Sequence, residues 1–323
     1  MATYAELHVH SGFSFLDGAS DPEELVAEAV RLGLPALALT DHNGLYGVVR
    51  FATAARALGL ATIFGVEVTL GGGAPRTGVP DPAGEHLVLL ARGPSGYSSL
   101  SAMLADAHLA RGEKGELSVA LEDLGAAANG AWHVLTGCRK GPLTTALLAD
   151  GPAAAGRALD RLVATFGRDH VAVELWDHGH PLDSQRNDVL AKLAVRRGVD
   201  LVATNNVHYA RADDFPRATT LAAIRARRPL AELEGWLPGA PMACLRSPEE
   251  QMRRFARWPG AVERAGELGA ALAFDLALVA PKLPDFPVPE GMDEDTYLRH
   301  LVQEGARHRY GPREREQVPG AWA

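Results

Sequence analysis

Two histidines, His8 and His10, lie one residue apart in the apolar stretch AELHVH near the start of the chain. Alternate residues of a β-strand point to the same side, so the two imidazole groups would face one space. Asn206 and His208 have the same spacing at the end of the stretch DLVATNNVHY. Strands that end in such pairs could supply several ligands to a metal ion, because imidazole is a common metal ligand.

Metal-ligand side chains also occur in the other strand-like stretches of the chain. They are Asp41, His42, Glu67, His86, Cys138 and Glu174. Any single one of them would be explained more simply as a hydrogen-bonded or apolar core residue. Together they are too many for one ion, and burying them in a dry core without any ion would be costly. The set favours a cluster of two or three divalent metals, for which zinc, manganese or iron suit these donors.

A cluster of this kind predicts hydrolysis of phosphate esters. Neighbouring divalent ions bridge phosphate oxygens and lower the pKa of a bound water to about 7, so the nucleophile would be a metal-bound water rather than a side chain. The chain contains no GxxxxGK[ST] phosphate loop, no GxSxG serine motif and no GxGxxG after a predicted strand.

The elements that must position these residues follow from the hydrophobic pattern. Seven short apolar stretches alternate with longer amphipathic segments between residues 5 and 209. Such alternation predicts βα units around a parallel sheet, and seven units in this length favour a small α/β barrel. In barrels the active site lies at the carboxyl ends of the strands, where most of the candidate ligands occur.

One connection departs from this pattern. The segment GGGAPRTGVPDPAGE, between Leu70 and His86, is rich in glycine and proline and cannot form a helix. The strand that starts at His86 is therefore expected to begin near the pole where the preceding strand ends. This would place His86 itself, rather than the last residue of its strand, at the functional face.

After residue 210 the strand pattern stops and a mainly helical segment follows. Helical patterns cover residues 212–227, 247–257, 259–272 and 292–311. A proline-rich connector, residues 280–291, precedes the last of them. The predicted domains are a metal-binding barrel (1–211), a helical extension and linker (212–311) and an unstructured tail (312–323).

Composition limits the class of protein. The 323 residues are 47% hydrophobic and 22% charged, as in ordinary globular proteins. A net charge of −8 argues against a chain that coats duplex DNA, and the arginine-dense segments 211–229 and 246–260 are expected to be solvated helix faces. Cys138 and Cys244 form no disulfide framework, which favours a cytoplasmic location. We find no secretory signal and no apolar run of the ~20 residues that a membrane helix needs.

The motifs around these residues resemble those of the PHP (polymerase and histidinol phosphatase) family. They are HVHSGFSFLDG, LALTDHNGLYG, GVEV, HLVLLARGPSGYSSLS, LTGCRKG, VELWDHG and VATNNVHY. The resemblance is closest to the N-terminal PHP domain of bacterial C-family polymerases, the DNA polymerase III alpha subunits. Among these it is closest to the error-prone branch used in damage-induced mutagenesis, and it covers residues 4–311.

This resemblance implies a distorted (β/α)7 barrel with a trinuclear metal site. Carried over motif by motif, the implied metal ligands are His8, His10, Asp17, His42, Glu67, His86, Cys138, Asn206 and His208. In the last motif many relatives read TNDxH, whereas this chain has Asn206 in place of the aspartate. Because an amide is uncharged and bridges metals less well than a carboxylate, one metal is expected to be weakly held or missing.

Six further residues lie beside the implied ligands. They are Asp41, Arg139, Lys140, Glu174, His178 and His180. Asp41 is expected to orient a ligand imidazole rather than to bind metal. Arg139 and Lys140 directly follow the ligand Cys138 and could contact a substrate phosphate. Glu174, His178 and His180 could contact that phosphate or belong to a solvated loop, and we favour the loop.

The resemblance also implies a function. It points to DNA as the substrate of a 3′–5′ exonuclease housed in a DNA polymerase, with replication or mutagenesis proteins as partners and no membrane. Family polymerases are much longer, and their polymerase active site would follow the end of this chain, which by itself should not polymerise DNA. Two alternatives stay open: a catalytically silent platform for the polymerase, and a free-standing phosphatase of the histidinol-phosphate type. The polymerase-like segment 246–311 argues against the free-standing phosphatase.

Overall fold

The computed structural model describes residues 3–71, 84–111, 117, 119–233, 241–276 and 286–311. Its strands are β1 (Ala36–Leu39), β2 (Ala61–Leu70), β3 (Glu85–Ala91), β4 (Trp132–Leu135), β5 (Val171–Leu175) and β6 (Asp200–Ala203). Its longer helices are α1 (Pro22–Arg31), α2 (Val48–Leu58), α3 (Gly93–Arg111), α4 (Leu121–Ala128), α5 (Pro142–Asp150), α6 (Pro152–Phe166), α7 (Asp183–Arg197), α8 (Phe215–Ala226), α9 (Pro248–Arg254), α10 (Ala261–Leu272) and α11 (Glu294–Tyr310).

The six strands form one sheet in the order of the chain, β1 to β6. β3 runs against both of its neighbours, and the other neighbouring strands are parallel. His86 pairs with Thr69, one residue before the end of β2. The predicted reversal is therefore confirmed, and His86 lies at the same pole as the carboxyl end of β2. Most of the glycine- and proline-rich connection, residues 72–83, lies outside the described residues.

The predicted first strand joins the two ends of this sheet. Glu6 forms a bridge with Leu37 on one side, and Val9 forms a bridge with Val207 on the other. The backbone N–H of His10 donates to the carbonyl of Val207 (2.8 Å). These contacts link residues 6–10 to both edges of the six-stranded sheet and close it into a distorted barrel, although residues 4–10 do not form a continuous strand. The fold class expected from the sequence is thereby confirmed.

The helices that cover the barrel begin and end at residues suited to capping. In α1 the backbone N–H of Asp21 donates to Glu24 Oε2 (3.0 Å), and Pro22 occupies the first turn, where no N–H is needed. α2 and α7 end at Gly59 and Gly198, whose φ angles of +70° and +61° suit glycine. The apolar faces of these helices join one hydrophobic core around the sheet.

The chain divides into two compact units, residues 1–279 and residues 280–323. The first unit holds the barrel together with α8, α9 and α10, and the second holds α11. A domain boundary at residue 211 stays a prediction. The predicted unstructured tail, residues 312–323, lies outside the described residues, as does part of the proline-rich connector. None of the described helices is both long enough and apolar enough to span a membrane.

Candidate metal centre

The carboxylate of Glu67 lies at the centre of four histidine rings. Its Oε1 is 3.3 Å from His8 Nε2, and its Oε2 is 3.4 Å from His10 Nε2. The same Oε2 lies 3.0 Å from His42 Nδ1 and 3.3 Å from His86 Nδ1. Glu67 and three of the histidines are buried, and only the His86 side chain, 13% exposed, reaches the surface. Four potential ligand nitrogens therefore converge on one buried carboxylate.

These atoms outline two candidate metal positions that share Glu67. Ligand atoms of His8, His10 and Glu67 lie within 4.8 Å of one another, and so do those of His42, Glu67 and His86. Burial alone raises the pKa of Glu67, but the neighbouring histidines outweigh this effect and hold the pKa well below its ordinary value. An ionised carboxylate between two histidine pairs suits a bridge between two divalent ions.

Asp17 and His208 extend the cluster beside His42. Asp17 Oδ2 is 3.0 Å from His42 Nε2 and 3.7 Å from His208 Nδ1. The His208 ring stacks on that of His10, with 4.7 Å between the centroids. Burial raises the pKa of Asp17, but His208, His42 and Arg225 outweigh it and keep the carboxyl group ionised.

Cys138 and Asn206 are the last two sequence-predicted ligands. Cys138 is buried, and its Sγ lies 3.6 Å from Glu67 Oε1. Asn206 precedes Val207, which pairs with Val9, so it lies at the same pole as the first histidine pair. Its backbone is left-handed (φ +42°), a conformation that asparagine tolerates. The structure thus brings the predicted ligands to one pole of the barrel.

Two glycines let the ligand loops fold tightly. A Cβ atom on Gly18 would lie 1.9 Å from the carbonyl oxygen of Ser11, so a larger residue could not occupy this turn. A Cβ atom on Gly137 would lie 2.4 Å from the carbonyl oxygen of His86, and Gly137 also has a φ of +80°. These close approaches allow Asp17 and Cys138 to turn back toward the cluster.

Asp41 organises the backbone beside His10. It accepts hydrogen bonds from the backbone N–H of Ser11 (2.7 Å), from Ser11 Oγ (2.8 Å) and from Ser14 Oγ (2.7 Å). Ser14 Oγ also lies 3.0 Å from His10 Nδ1 and accepts from the backbone N–H of His42 (3.0 Å). Asp41 therefore reaches two histidines through a serine. Sequence reasoning misses Ser11 and Ser14, although the HSGFS spacing directly after the histidine pair is a signal for them.

Glu174 is not part of a solvated loop, so that interpretation is wrong for this residue. It lies in β5, which directs its fully buried side chain into the barrel. Its Oε1 is 2.7 Å from His8 Nδ1 and accepts from Thr204 Oγ1 (2.5 Å). Burial lowers the pKa of His8, but Glu174 and Glu67 outweigh this effect and raise it to about 10. The pocket around His8 therefore attracts positive charge.

His178 and His180 lie in the loop after β5. Their backbone N–H groups both donate to Asp183 Oδ2, at 3.0 Å each. His178 Nε2 is 2.6 Å from the carbonyl oxygen of Asn205, and burial lowers the pKa of His178 to about 4. His180 is exposed. Both residues shape a loop, which favours the loop interpretation for this pair.

Arg139 and Lys140 lie in the turn that carries Cys138. Arg139 is exposed and Lys140 is partly buried. The carbonyl oxygen of Lys140 accepts a hydrogen bond from the backbone N–H of His86 (2.9 Å), so this turn borders the cluster. Two cationic residues therefore lie at the edge of the candidate metal centre.

Unpaired polar atoms show that this donor set fits divalent metals. Glu174 Oε2 and Asn206 Oδ1 are buried and make no hydrogen bond with any described residue. An unsatisfied buried atom of this kind costs about 1–3 kcal/mol, which coordination would remove. Burial and the charge of His42 lower the pKa of His10, so its imidazole is in the neutral form that binds metal.

Comparison with known proteins identifies the family to which this chain belongs. The family model described as PHP domain matches residues 6–178, more than half of the chain. The protein named Error-prone DNA polymerase from Mycobacterium bovis is 58% identical over 309 residues, which cover 96% of this chain and 28% of that relative. The protein of the same name from Nocardia farcinica is 51% identical over 350 residues, covering 96% of this chain and 30% of the relative. The chain thus spans less than a third of these relatives.

A solved structure shows a more distant likeness. It is a proposed metal-dependent phosphoesterase of Bifidobacterium adolescentis, with 21% identity and a TM-score of 0.45 over 64% of this chain and 88% of that one. This likeness is too weak to support a conclusion about the family. The family model and the closed barrel with its histidine cluster agree with each other, and the chain belongs to the PHP domain family.

Proposed function

We propose that this chain is the PHP portion of an error-prone DNA polymerase, and that its cluster binds two or three divalent metals for phosphoester hydrolysis. The observation that carries this proposal is the convergence of four histidine nitrogens on the buried carboxylate of Glu67. The names of the relatives support the proposal that the parent protein is an error-prone DNA polymerase. Zinc, manganese and iron are the metals that this mixture of imidazole and carboxylate donors suits.

The proposed ligands divide into two groups around Glu67. His8 and His10 would serve one metal position, and His42 and His86 would serve the other. The remaining ligands would be Asp17, Cys138, Asn206 and His208. When bound, the metals would neutralise a substrate phosphate and lower the pKa of a water molecule to about 7.

The chain's own contribution is the orientation of the ligand rings. Glu174 lies against Nδ1 of His8, and Ser14 lies against Nδ1 of His10. With these nitrogens occupied, Nε2 of both rings is directed toward Glu67. Such outer partners fix the ring orientation and increase the basicity of the ligand nitrogen. Asp41 would orient the His10 ring indirectly, because it accepts a hydrogen bond from the Ser14 hydroxyl that lies against His10 Nδ1.

The rim of the site supplies features that would suit a DNA strand end. Arg139 and Lys140 would contact a substrate phosphate. Phe15 and Tyr46 are 75% and 64% exposed, and they lie in the loops that carry Asp17 and His42. Exposed aromatic rings can stack on nucleobases, with about 1–3 kcal/mol per base. This favours a 3′–5′ exonuclease on single-stranded ends over a phosphatase for small molecules.

Elemental analysis of tag-free protein tests metal binding. A Glu67→Gln variant keeps the side-chain volume but removes the bridging charge. Glu122→Gln is the matched control, because that side chain is 77% exposed and its carboxylate lies 3.7 Å from the exposed Arg161. We expect about two or three metal equivalents in the unaltered protein and the control, and less than one in Glu67→Gln. Equal metal content in all three proteins, or none in any, would contradict the proposal.

The substrate is tested with a 3′-labelled oligonucleotide beside histidinol phosphate. We expect metal-dependent release of nucleotides from the 3′ end, and a higher KM for the oligonucleotide in a Phe15→Ala/Tyr46→Ala variant. Faster hydrolysis of histidinol phosphate, with the aromatic variant unaffected, would favour the phosphatase alternative.

A catalytically silent platform is the second candidate function. Asn206 favours it, because an uncharged amide lies where the family resemblance implies an aspartate ligand. Metal would then contribute only to stability. Full metal content without hydrolysis of either substrate would support the platform.

A further inference from the structure

Arg225 connects a helix outside the barrel to the candidate metal centre. It belongs to α8, which follows the last strand, and its Nη1 donates to Asp17 Oδ1 at 2.8 Å. The two residues are 208 positions apart in the chain. The side chain of Arg225 is 15% exposed and that of Asp17 is 19% exposed, so the ion pair is largely shielded from water. Such shielding makes the pair stronger than an ordinary surface salt bridge.

The two oxygens of Asp17 have different partners. Oδ1 accepts from Arg225, whereas Oδ2 is directed at His42 Nε2 (3.0 Å) and His208 Nδ1 (3.7 Å). The carboxylate lies in a surface loop and follows Leu16, whose φ of +60° is unusual for leucine. Without a partner on Oδ1 the carboxylate could rotate about its last side-chain bond, which is a soft torsion. The arginine therefore fixes the orientation of the carboxylate, with one oxygen on Arg225 and the other directed into the cluster.

Other contacts hold α8 over this loop. Arg217 Nη1 donates to the carbonyl oxygen of Ala19 (2.9 Å) and to Glu24 Oε2 (2.8 Å). Phe215 of α8 packs against the buried cluster of Ala19 and Tyr209. The helix is thus anchored at a second point that does not involve Asp17. Removal of Arg217 is expected to weaken the anchorage of α8 and to leave the ion pair of Arg225 with Asp17 in place.

We infer that Arg225 is a positioning residue for the metal centre: it holds Asp17 in the orientation that binds metal and so couples α8 to the site. This inference rests on the proposed function, because it assumes that Asp17 is a ligand. Outer partners of metal ligands typically change metal affinity by about 10–100-fold. Arg225 is expected to lie at the lower end of that range, because its own positive charge opposes a nearby cation.

Calorimetric titration of the metal-free protein with Zn²⁺ and with Mn²⁺ tests the inference. We expect Arg225→Ala to weaken the binding of one metal equivalent by about tenfold, and Arg225→Lys to recover part of that loss. Arg217→Ala is the control for the anchorage of α8 and should bind metal like the unaltered protein. Circular dichroism and thermal unfolding without metal establish that each variant is folded. If Arg225→Ala does not fold, Arg225→Gln, which keeps a donor, replaces it.

The outcomes separate this inference from the proposed function. Unaltered metal binding by Arg225→Ala would overturn the inference and leave the metal centre standing. An equal loss in Arg225→Ala and Arg217→Ala would also overturn it, because docking of α8 would then be the cause. Failure of the unaltered protein to bind either metal would overturn both.

Discussion

Glu174 Oε1 lies 2.7 Å from His8 Nδ1, while the opposite ring nitrogen of His8 lies 3.3 Å from Glu67 Oε1. A fully buried imidazole is therefore held between two buried carboxylates. Two negative charges around one histidine attract a proton in the absence of metal. A divalent cation on the Glu67 side would balance the same charges.

Replacing Glu174 is expected to weaken metal binding without removing a proposed ligand. Glu174→Gln keeps the volume and an acceptor for Thr204, but it removes the charge that acts on His8. We expect metal affinity to fall about 10–100-fold, as for other outer partners of ligand histidines. Competition with a chelator of known affinity measures the change, and Glu122→Gln again serves as the exposed control. An unchanged affinity would mean that Glu174 does not act on the metal through His8.

Asn206→Asp is expected to strengthen metal binding. The buried Oδ1 of Asn206 makes no hydrogen bond with a described residue, and aspartate also tolerates its left-handed backbone. A carboxylate there would add negative charge to the cluster. We expect about tenfold tighter binding of one metal, equivalent to about 1.4 kcal/mol, and faster phosphodiester hydrolysis. Asn129→Asp is the control, because it adds the same charge at an exposed, left-handed position after α4 (φ +40°), and an equal gain in both variants would point to net charge alone.

Gly18→Ala is expected to destabilise the barrel and displace Asp17. The added methyl group would lie 1.9 Å from the carbonyl oxygen of Ser11, so the loop must open. Overpacking of this kind costs about 1–3 kcal/mol. Urea unfolding measures the loss, and Gly305→Ala in α11, where the added carbon would lie within 4 Å of no described neighbour, should cause none. A Gly18→Ala protein with unaltered stability and metal content would contradict this account of the loop.

His133 is expected to make stability depend on pH in mildly acid solution. It is buried in β4, and burial lowers its pKa from 6.5 to about 4. Between these values the unfolded chain binds the proton and the folded chain does not. The free energy of unfolding therefore falls as pH drops from about 6.5 to about 4, by at most about 3 kcal/mol from this group.

Subtracting a His133→Phe variant isolates that contribution. The difference in unfolding free energy between the unaltered protein and the variant should change with a slope of up to about 1.4 kcal/mol per pH unit in this window. Other titrating groups largely cancel in the difference. A difference that does not vary between pH 4 and 6.5 would show that His133 accepts a proton equally well in the folded state.

The sequence by itself determined the fold class, the helix ends and the types of residue at the site. Strand and helix alternation is a local pattern, and caps such as Asp21 and Gly59 act within one turn. The glycine- and proline-rich segment before His86 excluded a crossover helix, which was enough to predict the antiparallel strand. The ligand roles of the clustered residues stay predictions.

Only the tertiary structure decided which side chains support the cluster and how the barrel closes. The sequence places Glu174 in a strand, but only the closed sheet shows that its side chain lies between His8 and Thr204. Ser14 contacts Asp41 across 27 positions, and Arg225 reaches Asp17 across 208. Such contacts depend on the packing of distant elements, because a side chain's partners are set by which backbones the hydrophobic core brings together and not by its neighbours in sequence.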